Sequence, residues 1–201
     1  GDMGCHIIDP AFWALDLGSP DSIHATSTHW RKEVSSETFP RASIVRYKFP
    51  ARGSRPPVKL TWTDGRLLPP IPDEFEKGRK LPGSGALIIG DKGCIMHGSH
   101  GAGGLRIVPE TKMREYKQPE KTIPRVGTSH EGDWLRACKT GRPASSNFEY
   151  GGALTEMVLL GMVAIRAKDQ NLVWDAKNVK FKNNDAANEL LHIQYRDGWH
   201  L

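Results

Sequence analysis

Apolar and polar positions alternate through the centre of this chain. In 43–49, Val45, Tyr47 and Phe49 take turns with Ile44, Arg46 and Lys48. In 58–63, Val58, Leu60 and Trp62 take turns with Lys59, Thr61 and Thr63. A period of two sends successive side chains to opposite faces of a strand, so each stretch reads as a strand with one apolar face. Asp64-Gly65 supplies a turn after the second. Residues 22–31 are also β-prone. ALIIG at 86–90, the turn Asp91-Lys92-Gly93 and CIMH at 94–97 predict a hairpin, with LRIV at 105–108 and LVW at 172–174 as further short strands.

The ends of the chain change period. Residues 2–17 predict a helix that stops before Gly18 and Pro20. Phe12, Trp13 and Leu17 give it an apolar side. Pro10 has no N–H for the carbonyl of His6, so a break is expected just after His6, with Asp9 as the N-cap of a second helical segment. Thr128 and Glu131 have capping-box spacing and predict a helix running to Gly141. Residues 151–167 are apolar nearly all round and predict a buried helix, and 185–193 a last short one. The proline-rich stretch 66–84 and the Pro, Lys and Glu-rich stretch 109–127 read as loops. Strands in a block with helices on one face describe an α+β domain: a largely antiparallel open sheet, helix-covered on one side and free on the other for subunit pairing.

Composition narrows the field. The 201 residues suffice for one good core, and no apolar run reaches the ~18 residues of a membrane span. Of the net charge of +5, little is clustered, since acids and bases interleave at 74–80 and 110–115. Neither nucleic acid nor membrane is expected as a partner. The three cysteines, Cys5, Cys94 and Cys138, are far apart with no Cys-x-x-Cys pair, so small buried thiols are expected and not a disulfide framework.

Candidate chemistry begins at the first residues. Asp2 and His6 stand at i and i+4 and share a helix face, so the carboxylate can hold one imidazole nitrogen and leave the other to exchange a proton. Spacing alone equally describes a surface pair worth ~0.2–0.5 kcal/mol. Asp2 lies in the first helical turn, whose N–H groups lack intrahelical partners, so its contact with His6 is expected to be long or absent. His97 and His100 are read as a strand-end loop and not as metal ligands. His24 and His29 fall on opposite faces of one strand. No metal site is expected.

The stretches GDMGCHIIDPAFWALDLGSP at 1–20, FPARGSRPPVKLTWTDG at 49–65, LIIGDKGCI at 87–95, NFEYGGALTEMVLLGMVAIR at 147–166, LVWDAKNVKF at 172–181 and YRDGWHL at 195–201 form an ordered series. It resembles the C-terminal domain of the glucose–fructose oxidoreductase, inositol dehydrogenase and MocA-like family, in its bacterial branch. Asp2 and His6 match the Asp-x-x-x-His of that family. The resemblance implies a reversible oxidation of a sugar or polyol hydroxyl, with His6 as general base and Asp2 orienting its ring. It also implies a substrate cleft near Tyr150, carried with Asp9 as a candidate substrate ligand, and homo-oligomers built through the sheet face.

The resemblance marks what these residues lack. The family's lysine in a Glu-Lys-Pro motif and its N-terminal dinucleotide-binding domain have no counterpart here. The glycines at 83–85 lead into a strand-like run and those at 98–104 fit no better, whereas a dinucleotide fingerprint opens a helix. Residues 1–201 are therefore read as one C-terminal substrate-binding and oligomerisation domain. NAD or NADP is expected in the full-length enzyme and no cofactor on this fragment. A targeting segment is expected upstream, which leaves the compartment, cytoplasmic or exported, open. The alternatives are a non-catalytic assembly or ligand-binding module, and a glycoside-processing enzyme that uses transient redox at a sugar carbon.

Overall fold

The computed structural model describes residues 1–28 and 38–199; His29, the second histidine of the 22–31 stretch, lies outside them. Helix α1 (Asp2–Leu15) opens the chain, before β1 (Ser22–Ser27), β2 (Ser43–Phe49) and β3 (Val58–Thr63). The hairpin β4 (Gly85–Gly90) and β5 (Gly93–Gly98) and the short β6 (Arg106–Val108) come next. Helices α2 (Glu110–Glu115), α3 (His130–Thr140) and α4 (Phe148–Ala167) precede β7 (Asn171–Asp175), β8 (Lys180–Phe181) and α5 (Asp185–Asn188). A 3-10 turn at Glu189–Leu191 comes after α5.

The fold is α+β, and its strands divide between two antiparallel sheets. One has the order β3-β2-β1-β7-β8 and the other β4-β5-β6. Alternation sets the faces of the first. Val45, Tyr47 and Phe49 of β2 point to the core beside Ile23 and Ala25 of β1 and Leu172 and Trp174 of β7. Helix α4 lies on β1 and β2, with α1 packed against it. Its Leu154, Met157, Leu160 and Ala164 meet Ile8 and Phe12 of α1 in the same buried cluster. By length and composition α4 could cross a membrane, but its apolar side is spent on this core. It is not buried all round: Gly152, Thr155, Leu159 and Arg166 form an exposed stripe.

Two close approaches set how the helices lie. A Cβ on Gly4 would come within 2.8 Å of Val158, so α1 crosses α4 tightly at its first turn. A Cβ on Gly161 would come within 2.0 Å of the Tyr47 hydroxyl, so α4 seats directly on β2.

Several expectations are corrected. Helix α1 does not break at Pro10; it runs unbroken to Leu15. An interior proline costs about 3 kcal/mol, and burial of Ile7, Ile8, Ala11 and Phe12 along one side offsets it. Asp9 is therefore mid-helix and not an N-cap. The helix stops at Asp16 in the left-handed region (φ 52°), where the Leu17 N–H donates to the Phe12 carbonyl at 3.0 Å and buries Leu17 completely. Trp13 is exposed and does not join the apolar side. Residues 109–127 are not wholly loop, because α2 forms there. The cap of α3 is Ser129, one residue later than the expected Thr128, and its hydroxyl accepts from the Gly132 N–H at 3.1 Å. Of the cysteines only Cys94 is fully buried, and Cys138 is exposed.

Candidate functional site

Helix α1 carries the site. At 100° per residue, Asp2, His6 and Asp9 fall within about 60° of one another, so one face presents two carboxylates and an imidazole over two turns. The opposite side holds Ile7, Ile8, Ala11 and Phe12 in the core, which fixes that face outward.

Asp2 and His6 are brought together without closing a hydrogen bond. The Nε2 of His6 lies 4.0 Å from Oδ1 of Asp2, with the Asp2 side chain 91% and the His6 side chain 48% exposed. That separation suits an ion pair with protonated imidazole; a hydrogen bond would be shorter.

Asp9 and Tyr150 are brought together directly. Asn147 caps α4 by accepting from the Tyr150 N–H at 3.1 Å, which puts Tyr150 in the first turn. From there the phenol O–H donates to Oδ1 of Asp9. Phe12, one turn along α1 from Asp9, meets the Tyr150 ring edge-on with centroids 5.9 Å apart. Burial, and then the hydrogen bond and charge of Asp9, push the Tyr150 hydroxyl well above its ordinary range. It stays a proton donor at physiological pH, and the second oxygen of Asp9 is left to accept from another hydroxyl.

One site neighbour is missed by spacing arguments. His100, in the loop after β5, stacks on His6 with ring centroids 4.6 Å apart and planes tilted by 32°. The two are 94 positions apart, and nothing in a single sequence signals the contact. The available signal is local: His100 is a polar residue in a loop dense with glycine, where left-handed backbone is tolerated.

A cavity of about 360 Å3 opens beside this face and not over it. Asp2, Gly4, Tyr47, Trp62, Asp64 and Gly161 are among its lining, and His6 is not. Its polar groups are largely committed. Asp64 accepts from the Ser43 N–H at 2.6 Å, the Ser43 hydroxyl at 2.7 Å and the Trp62 indole at 3.2 Å. Burial pushes the Tyr47 hydroxyl well up and keeps it neutral.

Among the described residues no group of three or more His, Cys, Asp and Glu side chains could hold a metal ion. The glycines at 83–85 stand at the start of β4 and those at 98–104 between the end of β5 and β6, and neither set opens a helix. A search against protein-family models and one against curated proteins both find no match to the chain.

Proposed function

We propose that this chain is the substrate-binding half of an NAD(P)-dependent oxidoreductase that acts on a hydroxyl of a sugar or polyol. One observation carries the reading: a single helical face presents Asp2, His6 and Asp9, with Asp9 already holding a phenol O–H. In this reading His6 removes the proton of the reacting hydroxyl as general base. Asp2, 4.0 Å away, stabilises the imidazolium that results. Tyr150 holds Asp9 in place through its O–H, and the second Asp9 oxygen accepts from a neighbouring hydroxyl, which fixes which carbon faces His6.

Among the described residues neither glycine cluster leads into a helix N-terminus of the kind that takes a pyrophosphate. The proposal therefore assigns NAD or NADP to a domain outside these residues, and the chain's share of the reaction is proton removal and substrate orientation. Copies are proposed to pair through the sheet face that the helices leave free.

The test is NAD(P)H formation by the complete gene product across a panel of sugars, glycosides and polyols. His6→Ala is expected to lower turnover by about two to four decades, the usual share of general acid–base catalysis. Turnover near wild type would remove His6 from the chemistry. The open Asp2–His6 gap favours one second reading, a ligand-binding module without turnover. Saturable sugar binding with no cofactor reduction would establish it.

A further inference from the structure

We infer that His100 is a positioning residue of this site, holding the His6 imidazole in place from a different sheet. The functional half of the inference rests on the oxidoreductase reading; the structural half does not.

His6 needs such a partner. Its ring is half exposed, and Asp2 at 4.0 Å is too far to fix it by a hydrogen bond. The close ring contact at His6 is with His100, at 4.6 Å between centroids. A general base that rocks between rotamers spends little time at the reacting proton, and a displacement of about 1 Å can cost a hundredfold in rate.

His100 is held well enough to serve. Its Nδ1 lies 2.9 Å from the Ser99 hydroxyl, which fixes the ring on its own loop. The loop is tied at its base, where the Gly98 N–H donates to the Gly103 carbonyl at 2.7 Å. Just before it, His97 is buried and hydrogen bonds to the Gly98 carbonyl through Nδ1 at 2.7 Å. His100 itself is in the left-handed region, φ 53°, followed by Gly101 and then Ala102 at φ 58°. A non-glycine residue there is strained and persists where its surroundings over-determine it. Strand β4 packs against α1 and brings this loop to His6.

Two measurements test it. In the complete gene product, His100→Ala is expected to lower kcat by about ten- to a hundredfold with KM within about twofold. His100→Tyr, which restores a flat ring, is expected to recover most of that loss. A His100→Tyr variant as slow as His100→Ala, although its His6 ring is still restrained, would overturn positioning and make the imidazole nitrogen itself the functional group.

The second measurement does not use activity. In the 201-residue chain, the His6 ring signals in NMR are expected to carry a ring-current shift and restricted side-chain motion. His100→Ala should abolish both, and Ser99→Ala should weaken both. His6 signals unmoved by His100→Ala overturn the inference whatever the activity shows. Signals that move while turnover stays at the wild-type level overturn the positioning role. If no substrate is turned over by the wild type, the oxidoreductase reading fails alone, and the mobility of the His6 ring still decides what His100 does.

Discussion

The two sheets of this protein are held by different forces. The five-stranded sheet with α1 and α4 contains the buried apolar cluster, from Ile8 and Phe12 through Tyr47 and Phe49 to Leu172 and Phe181. Among the described residues, none of that cluster comes from β4, β5 or β6. The three-stranded sheet buries only Cys94, His97 and Val108 completely, and is fastened from outside by charges. Glu76 pairs with Arg79 and accepts from the Glu110 N–H. Glu110 in turn takes Arg79 at 3.1 Å and Arg106 at 2.6 Å. Hydrophobic burial has no proton to lose and no charge to screen, whereas partly exposed ion pairs respond to pH and to screening. The candidate site lies on the seam, with Asp2, His6 and Asp9 on the apolar body and His100 on the clamped sheet. The body fixes where the base stands, and the clamped sheet can adjust what faces it.

The largest expected effect is in the body. Phe12 is buried, meets Tyr150 edge-on and stands in the cluster, so Phe12→Ala should cost about 3–5 kcal/mol of unfolding free energy in denaturant titration. A cost below about 1 kcal/mol would mean that α1 is not part of the cooperative core. Tyr150→Phe keeps the ring and removes only the donor to Asp9. Asp9 is half-buried and can turn to water, so the loss should be nearer about 1 kcal/mol. Sugar binding should weaken more than stability does. Equal stability and equal binding in Tyr150→Phe would leave the Asp9–Tyr150 pair without a role.

The clamp should answer to acid. Hydrogen bonds from Arg79 first, and then from the Glu110 N–H, lower the Glu76 carboxyl from its ordinary value near 4.5 to about 2. A group whose folded value is depressed contributes stability that is complete above its unfolded value and fades as pH falls towards the folded one. The window is therefore from about 4.5 down to about 2. Amide exchange in β6 and α2 should quicken through that window while β1 and β2 remain protected. Glu76→Gln should remove most of that acid response. Simultaneous exposure of both sheets would show that they open as one unit and break the comparison.

The strands of the body were legible because alternation and the Asp64-Gly65 turn are local signals, and their observed bounds at Ser43–Phe49 and Val58–Thr63 match the expected ones. The hairpin around Asp91-Lys92-Gly93 was legible for the same reason. Pro10 misled because its cost is local and its compensation, the packing of Ile8 and Phe12 on α4, is tertiary. The site was half legible. Asp2 and His6 share a face by arithmetic along one helix, whereas Asp9, expected as the cap of a second segment, joins that face only because α1 runs through Pro10. The Tyr150 hydrogen bond and the His100 stack join residues 141 and 94 positions apart, and no spacing rule reaches that far.

Among the described residues, one surface of the body is covered by neither force. The side of the sheet away from the helices carries Ser22, His24 and Thr26 on β1, with Ile44, Arg46 and Lys48 opposite them on β2. Thr63, Thr61 and Lys59 on β3 complete the three rows. Lys48 and Lys59 face each other directly, and no carboxylate points outward from these three strands. Pairing of two copies through this face would bring like charges together at the join. Salt screens that repulsion, so association should strengthen by a few-fold in sedimentation equilibrium as ionic strength rises from ~0.01 to ~0.15 M, over which the screening length shrinks from about 30 to about 8 Å. Lys59→Thr should strengthen it at low salt and leave less for added salt to do. Association that weakens with salt would mean that an acidic surface meets these lysines, and would move the pairing face elsewhere on the molecule.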